Sequence, residues 1–387
     1  MKDIVIIAGS AVGSVLALAR AIKKTVNCKA YVLGTNPQAL KIIESSRFID
    51  KCYLINGRNE EQFIHDVKKW RENSSFKNNP ILYFTYDTAC VYVDRHRDWF
   101  ESKFILCMPS SDIIENFTEK GIAETVARTH GLTIPKTRVI QSALDIDCVL
   151  EEFNFPVIIK PTASRKGSRL GFKVKILNDQ NKFKTVAAQI RNEGKIFVTQ
   201  EYIPGTDEDA WYYIFYRSKN GVVWENMGKK ILQSPPGGGI MAKGIVEYNS
   251  GLSRIAREFL QNINYNGIGG IEFKKSNDDY YFIEMSVRLE GFHQIGDESD
   301  STISLASYYD LTNQEDKLFR LTEKKQKDGL IYIAFIPTMV TRIKTRNIKG
   351  LMKDITSAIF SKNVSLNIYS RDDSKPFWNT LKRLLIK

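Results

Sequence analysis

The fold prediction starts from residues 268–288, which read IGGIEFKKSNDDYYFIEMSVR. Two short apolar runs flank a polar KSNDD turn, and this pattern predicts a β-hairpin. Glu272 and Glu284 stand at equal distances from Asp278, the predicted centre of the turn. A symmetric register would therefore place the two carboxylates opposite each other, with Cβ atoms about 4.5–5.5 Å apart.

Two carboxylates held this close repel each other unless a cation or a shared proton lies between them. Mg²⁺ prefers oxygen ligands and usually carries phosphates, so a magnesium site would explain the pair. Arg288 follows four residues later and adds a positive group. The pair alone leaves a second interpretation open, a solvated hairpin edge whose acids bind Lys274 and Lys275. The rest of the chain must decide between them.

The composition indicates a folded protein with an affinity for anions. The chain has 387 residues, enough for two or three domains, and is 43% hydrophobic and 26% charged. Its 56 Lys and Arg outnumber 44 Asp and Glu, giving a net charge of +12. Such an excess suits nucleic acid, anionic membrane surfaces or polyanionic small molecules. The basic residues are spread out and no DNA- or RNA-binding motif occurs, so we expect no nucleic-acid partner.

The cysteines and the first residues bear on location. Five cysteines are widely spaced and form neither a disulfide framework nor a zinc pattern, which suits a reducing cytoplasm. The uncharged run 4–19 resembles a signal peptide, but Gly9 and Ser10 interrupt it after a four-residue strand. We therefore expect a cytoplasmic protein without a membrane span.

Alternating strand and helix patterns in residues 1–110 predict an open parallel sheet, so this part is an α/β domain. Residues 111–203 predict a small α+β module. Residues 204–330 are mostly strands and end in the hairpin, and residues 331–387 predict a strand, LIYIAFIP, followed by a basic helical tail.

Two segments carry further candidate chemistry. Lys160 ends the apolar strand 157–159 and precedes the loop 163–171, which is rich in glycine, serine and basic residues. Backbone amides and cations of this kind suit phosphate, although a basic hairpin tip is the alternative. The segment 200–205, QEYIPG, offers an apolar face and hydrogen-bonding groups for adenine, and the acids that follow could accept from ribose. A strand end with an acidic turn is its alternative.

The order of these features resembles the ATP-grasp superfamily of carboxylate–amine and carboxylate–thiol ligases over residues 1–290. The resemblance implies an N-terminal parallel-sheet domain, a small lid domain and an antiparallel-sheet domain, with ATP and Mg²⁺ bound. It also implies a role for each matching residue. Lys120 and Lys160 would bind ATP, and Lys160 would do so at the α- and β-phosphates. The phosphates would be covered by Ser164, Gly167 and Ser168. The base would be held by Gln200, Glu201 and Ile203, and the ribose by Asp207 or Glu208. The metal would be held by Glu272, Glu284 and Ser286, and Arg288 would steady the transferred phosphoryl group.

The sequence departs from the family pattern after the second acid. Ser286 stands where the family usually has asparagine, and Val287 stands where it usually has proline. Either water completes the metal shell, or a second ion binds less tightly, or activity is impaired. The stretches GKKILQSPPGGG (228–239) and DDSKPFWNTLKRLL look like bacterial carboxylate–amine ligases near the D-aspartate ligase group.

The resemblance implies a ligase that activates a small-molecule carboxylate as an acyl phosphate and joins it to an amine. An amino acid or a cell-envelope precursor would suit. We expect the substrate between the 9–13 loop, the 228–239 segment and the loop after Arg288. In that last loop Glu290, His293 and Gln294 are candidates, although a structural hydrogen bond suits His293 better.

Two other functions remain open. The first is a non-catalytic or impaired ATP-binding protein, because of Ser286 and Val287. The second is a basic protein that binds nucleic acid or an anionic surface. Its basic tail could equally be a solvated helix face that helps to form a homodimer. The basic residues of that tail are Arg342, Lys344, Arg346, Lys349 and Lys353.

Overall fold

The computed structural model describes residues 1–118, 120–162, 170–172 and 174–385 of the chain. The side chains of residues 120, 121, 384 and 385 lie outside this description. Among the described helices, none combines the length and apolar character that crossing a membrane requires.

The N-terminal sheet is parallel, as the sequence predicts. Its five strands lie in the order β3-β2-β1-β4-β5. The strand β1 is buried on both faces: Ile4 and Ile6 enter one core, and Val5 and Ile7 enter another. This explains its uninterrupted apolar run. The elements are β1 (Ile4–Ala8), α1 (Val12–Lys23), β2 (Ala30–Gly34), α2 (Pro37–Ile43), β3 (Lys51–Leu54), α3 (Glu60–Glu72), β4 (Ile81–Phe84), α4 (Asp87–Asp94), α5 (Arg97–Lys103) and β5 (Ile105–Leu106).

Two helices lead from this sheet to a second one with a small core of its own. The second sheet has four antiparallel strands in the order β6-β9-β7-β8. Its core residues include Val157, Ile159 and Phe183. The elements are α6 (Ser111–Thr118), α7 (Lys120–Thr129), β6 (Thr137–Ile140), α8 (Ala143–Glu152), β7 (Val157–Pro161), β8 (Lys175–Leu177), α9 (Gln180–Asn192) and β9 (Phe197–Glu201).

The third sheet has seven strands in the order β14-β13-β10-β11-β12-β15-β16. All its pairs are antiparallel except that of β15 with β16. The elements are β10 (Ala210–Arg217), β11 (Val223–Ser234), β12 (Ile240–Val246), α10 (Ser250–Asn262), β13 (Gly267–Ser276), β14 (Asp279–Ser286), α11 (Gln294–Glu298), α12 (Ile303–Leu311), α13 (Glu315–Leu321), β15 (Ile331–Ile333), α14 (Phe335–Lys344), α15 (Ile348–Phe360), β16 (Val364–Leu366) and α16 (Lys375–Leu385).

The predicted strand LIYIAFIP is wrong in its second half. Only Ile331–Ile333 form a strand, and Phe335 begins a helix. Pro337 falls in the first turn of that helix, where its missing N–H costs no hydrogen bond. A short apolar run does not distinguish a buried strand from a buried helix, which is why the pattern misled.

The hairpin of β13 and β14 pairs Glu272 with Glu284, but not through the symmetric turn that the sequence suggests. Asn277 and Asp278 form a two-residue turn, so Ser276 pairs with Asp279 and Phe273 with Phe282. Continued without a break, this register would pair Glu272 with Ile283. An irregularity between Glu272 and Phe273 adds one residue to β14 and brings Glu284 opposite Glu272.

A buried ion pair fastens the C-terminal segment to the N-terminal sheet. Arg20 on α1 donates from Nε to the Asp373 carboxylate at 2.9 Å, and the two side chains are 6% and 2% exposed. The same carboxylate accepts from the Ser46 hydroxyl at 2.6 Å and from the backbone N–H of Arg47 at 3.1 Å. Since every donor is supplied by the first part of the chain, this contact ties residues far apart in sequence.

The substitution Asp373→Ala tests this fastening. It leaves the Arg20 guanidinium buried without its carboxylate, so we expect the free energy of unfolding to fall by about 3–5 kcal/mol. Asp372→Ala is the matched control, because Asp372 meets Lys24 in a pair that is 42% and 48% exposed. Its loss should cost less than about 1 kcal/mol. Urea denaturation of both variants measures the difference, and equal midpoints would contradict the assignment.

Candidate functional site

A cleft that is partly open to solvent lies where the second and third sheets face each other. Its lining comes from β7 and β9 of the second sheet, from β10, β11, β13 and β14 of the third, and from the loops beside them. Among the residues selected from sequence, the cleft is lined by Lys160, Gln200, Glu201, Ile203, Glu272 and Glu284.

The other selected residues fall into two groups. Lys120 begins α7, but its side chain lies outside the described residues, as do Ser164, Gly167 and Ser168 entirely. Four described residues are not part of the cleft lining, namely Asp207, Glu208, Ser286 and Arg288.

The apolar part of the cleft is built from both sheets. Ile158 and Val174 come from the second sheet and its margin, and Phe273 and Ile283 come from the hairpin. Ile203, at the segment joining the two sheets, also lines the cleft and is only 8% exposed. Apolar side chains on two walls suit a flat aromatic ring.

Lys160 takes part in a buried polar network next to this apolar wall. Its ammonium contacts the Glu124 carboxylate of α7, and it donates to the Gln200 side-chain oxygen at 3.2 Å. The Gln200 amide donates in turn to Glu124 at 2.9 Å and to the Thr137 hydroxyl at 3.0 Å. The Lys160 and Glu124 side chains are 5% and 3% exposed. A lysine so deeply buried needs such a carboxylate to keep its charge.

Sequence reasoning missed Glu124, although a signal exists. Glu124 lies on the face of α7 that also carries the buried residues Ala123 and Ala127. A glutamate on the apolar face of a helix needs a partner inside the protein. The periodicity alone could not name Lys160 as that partner, because the two residues are 36 positions apart.

A second buried lysine meets the hairpin acids. Lys230 on β11 donates to the Glu272 carboxylate at 2.6 Å, and its own side chain is only 2% exposed. The strand β11 pairs with β10, and β10 pairs with β13, so Lys230 reaches Glu272 across the intervening strand. Lys230 belongs to the GKKIL stretch selected from sequence, but its role was not predicted. The two facing acids therefore have a cation beside them within the protein.

The hairpin acids suit a metal ion that arrives with an anionic ligand. Glu272 and Glu284 face each other and line the same cleft. Among the described residues, no group of three His, Cys, Asp or Glu side chains could hold a metal. Mg²⁺ commonly uses one or two carboxylates, with phosphates and water completing its shell. The residues therefore fit Mg²⁺ bound together with a triphosphate.

Asp207 positions a loop at the mouth of the cleft. One carboxylate oxygen accepts from the Gln233 backbone N–H at 2.7 Å, and the other accepts from the Gln233 side chain at 3.0 Å and the Gly237 N–H at 2.9 Å. The loop residues Gly237–Gly239 line the cleft. With both oxygens engaged, Asp207 acts on the cleft through this loop.

Behind the hairpin acids lies a second charged cluster. Arg288 donates to Glu290 at 2.8 Å and lies 3.3 Å from Asp87. Burial disfavours the charged guanidinium, but Glu290 and Asp87 outweigh burial and raise the pKa of Arg288. Burial also raises the pKa of Glu290, yet Arg288 and a hydrogen bond from Ser286 together hold that pKa below its ordinary value. Ser286 thus contacts Glu290.

Gly270 makes room for this cluster, because a Cβ atom there would meet Glu290 Cγ at 2.8 Å. The charge of Glu284 adds to the rise in the pKa of Arg288. The arginine therefore lies within electrostatic reach of the hairpin acids, next to the cleft.

The remaining candidates in the loop after Arg288 are held by core contacts. His293 is fully buried, and its Nε2 lies 3.1 Å from the Ser304 hydroxyl. Burial lowers the pKa of His293 to about 4, so its ring is neutral at pH 7. Gln294 donates to Glu298 at 2.8 Å and to the Leu366 carbonyl at 3.0 Å.

The structure also brings the N-terminal loop close to this region. A Cβ atom on Gly13 would lie 3.2 Å from the Gly291 carbonyl and collide with Asn367. The 9–13 loop and the loop after Arg288 are therefore neighbours.

Comparisons with known proteins agree on the fold. No family model matches the chain. A curated formate-dependent phosphoribosylglycinamide formyltransferase of Wolinella succinogenes is 20% identical over 254 residues. The match covers 62% of this chain, and the chain spans 59% of the length of that relative.

Solved structures match a larger share of the chain. The ADP complex of an N5-carboxyaminoimidazole ribonucleotide synthetase is 14% identical, with a TM-score of 0.64, and 89% of this chain and 85% of that chain are covered. An L-amino acid ligase from Bacillus licheniformis is also 14% identical, with a TM-score of 0.62 and coverages of 84% and 78%. These likenesses establish the arrangement of the three sheets.

The Lys160–Glu124 pair gives a direct prediction. In Glu124→Gln the lysine loses its buried carboxylate, so we expect the free energy of unfolding to fall by about 3–5 kcal/mol. The double variant Glu124→Leu/Lys160→Met replaces both charges by apolar groups and should recover most of this loss. Chemical denaturation of the two variants and the parent measures the effect. If Glu124→Gln were as stable as the parent, the Lys160–Glu124 pair would not make this contribution to the free energy of unfolding.

Proposed function

We propose, from the ATP-grasp fold that this chain has, that it is an Mg²⁺- and ATP-dependent ligase that joins a carboxylate to an amine. The observation that carries the proposal is the meeting of Lys160, Lys230 and the Glu272–Glu284 pair in one cleft beside an apolar slot. A triphosphate needs cations and its metal ion needs carboxylates, whereas an adenine ring needs an apolar slot. Few other ligands need all of these features together.

The nucleotide would lie with its base between the apolar walls. Gln200, Glu201 and Ile203 line this end of the cleft and would hold the base. Lys160 would contact the α- and β-phosphates. Its present partners Glu124 and Gln200 fix the Lys160 ammonium at a defined position. The side chain of Lys160 therefore loses little conformational entropy when phosphate binds.

Glu272 and Glu284 would hold Mg²⁺, which when bound would neutralise part of the triphosphate charge. Lys230 now lies against Glu272 and would turn toward the γ-phosphate end of the cleft. Lysine suits this task because its ammonium is a compact charge on a long, rotatable stem.

The proposed reaction is the one that the resemblance to ATP-grasp ligases implies, and the charges of the cleft suit it. The substrate carboxylate attacks the γ-phosphorus, which forms an acyl phosphate and releases ADP. The amine then attacks the acyl carbon and expels phosphate, leaving an amide. Because carboxylate and triphosphate are both anionic, the first step is limited by repulsion and alignment, which preorganised cations relieve. Arg288, oriented by Asp87 and Glu290, would steady the transferred phosphoryl group.

The names of the similar proteins support this class of chemistry. One is a formate-dependent formyltransferase and another is an L-amino acid ligase. Formate and amino acids both carry a carboxylate. We propose a small carboxylic acid and a small amine for this chain, of which an amino acid is the simplest example.

A second candidate is ATP binding without ligation. It is favoured by one observation: the Ser286 hydroxyl donates a hydrogen bond to Glu290, which is not one of the hairpin acids. Under this candidate, ATP would raise the thermal midpoint of unfolding, but no acid and amine would cause ADP release.

The test is ADP and phosphate release from ATP and Mg²⁺ with pooled amino acids, other carboxylates and polyamines. We expect release to need both an acid and an amine. Lys160→Ala and Glu284→Ala should each lower it by at least about a hundredfold, because the first removes a cation that would meet the phosphates and the second removes a carboxylate that would hold Mg²⁺. Glu258→Gln is the matched control, since Glu258 lies exposed on α10 near Arg254. Undiminished turnover in both site variants would refute the assignment.

A further inference from the structure

The helices α14 and α15 form a hairpin whose outer surface is unusually apolar. The exposed fractions are 59% for Ile343, 60% for Ile348 and 55% for Met352. They rise to 67% for Ile359 and 80% for Phe360. Single exposed apolar residues are common, but a continuous set of large ones indicates an interaction site.

The apolar residues of α15 form one stripe along the helix. Ile348, Met352, Ile355 and Ile359 are spaced by four, three and four residues, which places them on the same face. Lys349 and Lys353 each follow a stripe residue by one position, so they flank the stripe. The helix therefore presents an apolar band with a basic edge.

The charge of this hairpin is one-sided. Residues 335–363, all of which the structure describes, contain six basic residues and one acid, Asp354. Asp354 is fully buried and binds Lys243 at 2.6 Å and Arg342 at 2.8 Å. No acid of this range is therefore exposed, whereas the exposed basic residues are Lys344, Arg346, Lys349, Lys353 and Lys362.

The buried ion pairs also fix the direction of the surface. Asp354 draws α15 onto Lys243 of β12, which is only 6% exposed. Anchoring this face of α15 to the sheet leaves the opposite face, with its stripe and lysines, turned outward. The neighbouring helix α16 packs Phe377 against Phe335 of α14 and carries Trp378, which is 53% exposed.

We propose that the α14–α15 hairpin docks the protein onto an anionic membrane surface. Apolar side chains on a helix lying parallel to a membrane enter the boundary between headgroups and acyl chains, while lysines on its edge meet lipid phosphates. Tryptophan favours the same depth. The absence of an exposed acid in residues 335–363 matches a negatively charged surface.

A second copy of the chain fits this surface poorly. A twofold interface brings the same patch of both subunits together, so the basic edges of two hairpins would repel each other. The surface therefore favours a partner of opposite charge. The proposal concerns a face remote in sequence from the cleft residues, and it stands whether or not the chain is a ligase.

The experiment is co-sedimentation of the full chain with vesicles of phosphatidylcholine alone and of phosphatidylcholine with 30% phosphatidylglycerol. We expect binding to the anionic vesicles that weakens as salt rises. Lys349→Gln/Lys353→Gln should weaken it about twenty-five-fold, since each lysine near such a surface contributes about fivefold. Ile359→Ser/Phe360→Ser should weaken it at least about tenfold, because less apolar surface enters the lipid.

Matched control variants distinguish binding through the hairpin from nonspecific binding to vesicles. Phe319→Ser removes an aromatic ring that is 71% exposed elsewhere, and Lys184→Gln/Lys219→Gln removes two exposed lysines from other regions. Both should bind like the parent. Equal affinity for neutral and anionic vesicles, or hairpin variants that bind like the parent, would overturn the proposal. So would a dimer in solution that the hairpin variants convert to a monomer.

Discussion

The rest of the site depends on the forced approach of two carboxylates. Glu272 and Glu284 face each other because β14 carries one extra residue, and like charges on paired positions are costly. The surroundings supply the compensation. Lys230 binds Glu272 from two strands away, and Arg288 lies within electrostatic reach of Glu284. A cleft that keeps such a pair suits a cation, and in the proposed function the phosphates bound with Mg²⁺ would meet the two lysines.

In the second sheet, too, a charged group has a neighbour of opposite charge that compensates it. Glu124 and Gln200 surround the buried Lys160 ammonium in the protein interior. Gln200 also donates to the Thr137 hydroxyl. This hydrogen bond helps to offset the free-energy cost of burying the polar groups. In the proposed function, the network would also hold the lysine at the position where a phosphate binds. Gly270 has a comparable role, since its missing side chain leaves the space that Glu290 occupies.

The sequence predicted the features that depend on local pattern. The parallel N-terminal sheet, the strand that carries Lys160 and the hairpin all follow from runs of apolar residues and turn signals. Features that depend on distant partners escaped it. Glu124 and Lys230 find their partners 36 and 42 residues away, and no spacing rule connects them.

Two local patterns were also ambiguous. The irregularity that aligns Glu284 shifts the alternation of β14, since Tyr280 and Phe282 enter the core and Met285 is the next to do so. The apolar neighbours Tyr281 and Ile283 hide this shift in the sequence, and the symmetric turn gave the correct pair for another reason. LIYIAFIP fits a strand as well as a helix start, and only the packing of α14 on the sheet decides between them. Composition also could not reveal that the Asp207 carboxylate supports the loop at Gln233 and Gly237, and the ribose role of Asp207 or Glu208 stays a prediction.

The central claim is that the cleft between the second and third sheets binds ATP through Lys160 and the hairpin acids. The most direct measurement is a crystal structure with Mg²⁺ and a non-hydrolysable ATP analogue. The account predicts the adenine between Ile158 and Phe273, the phosphates at Lys160, and the metal between Glu272 and Glu284. A nucleotide bound elsewhere, or phosphates that avoid Lys160 and both acids, would contradict it.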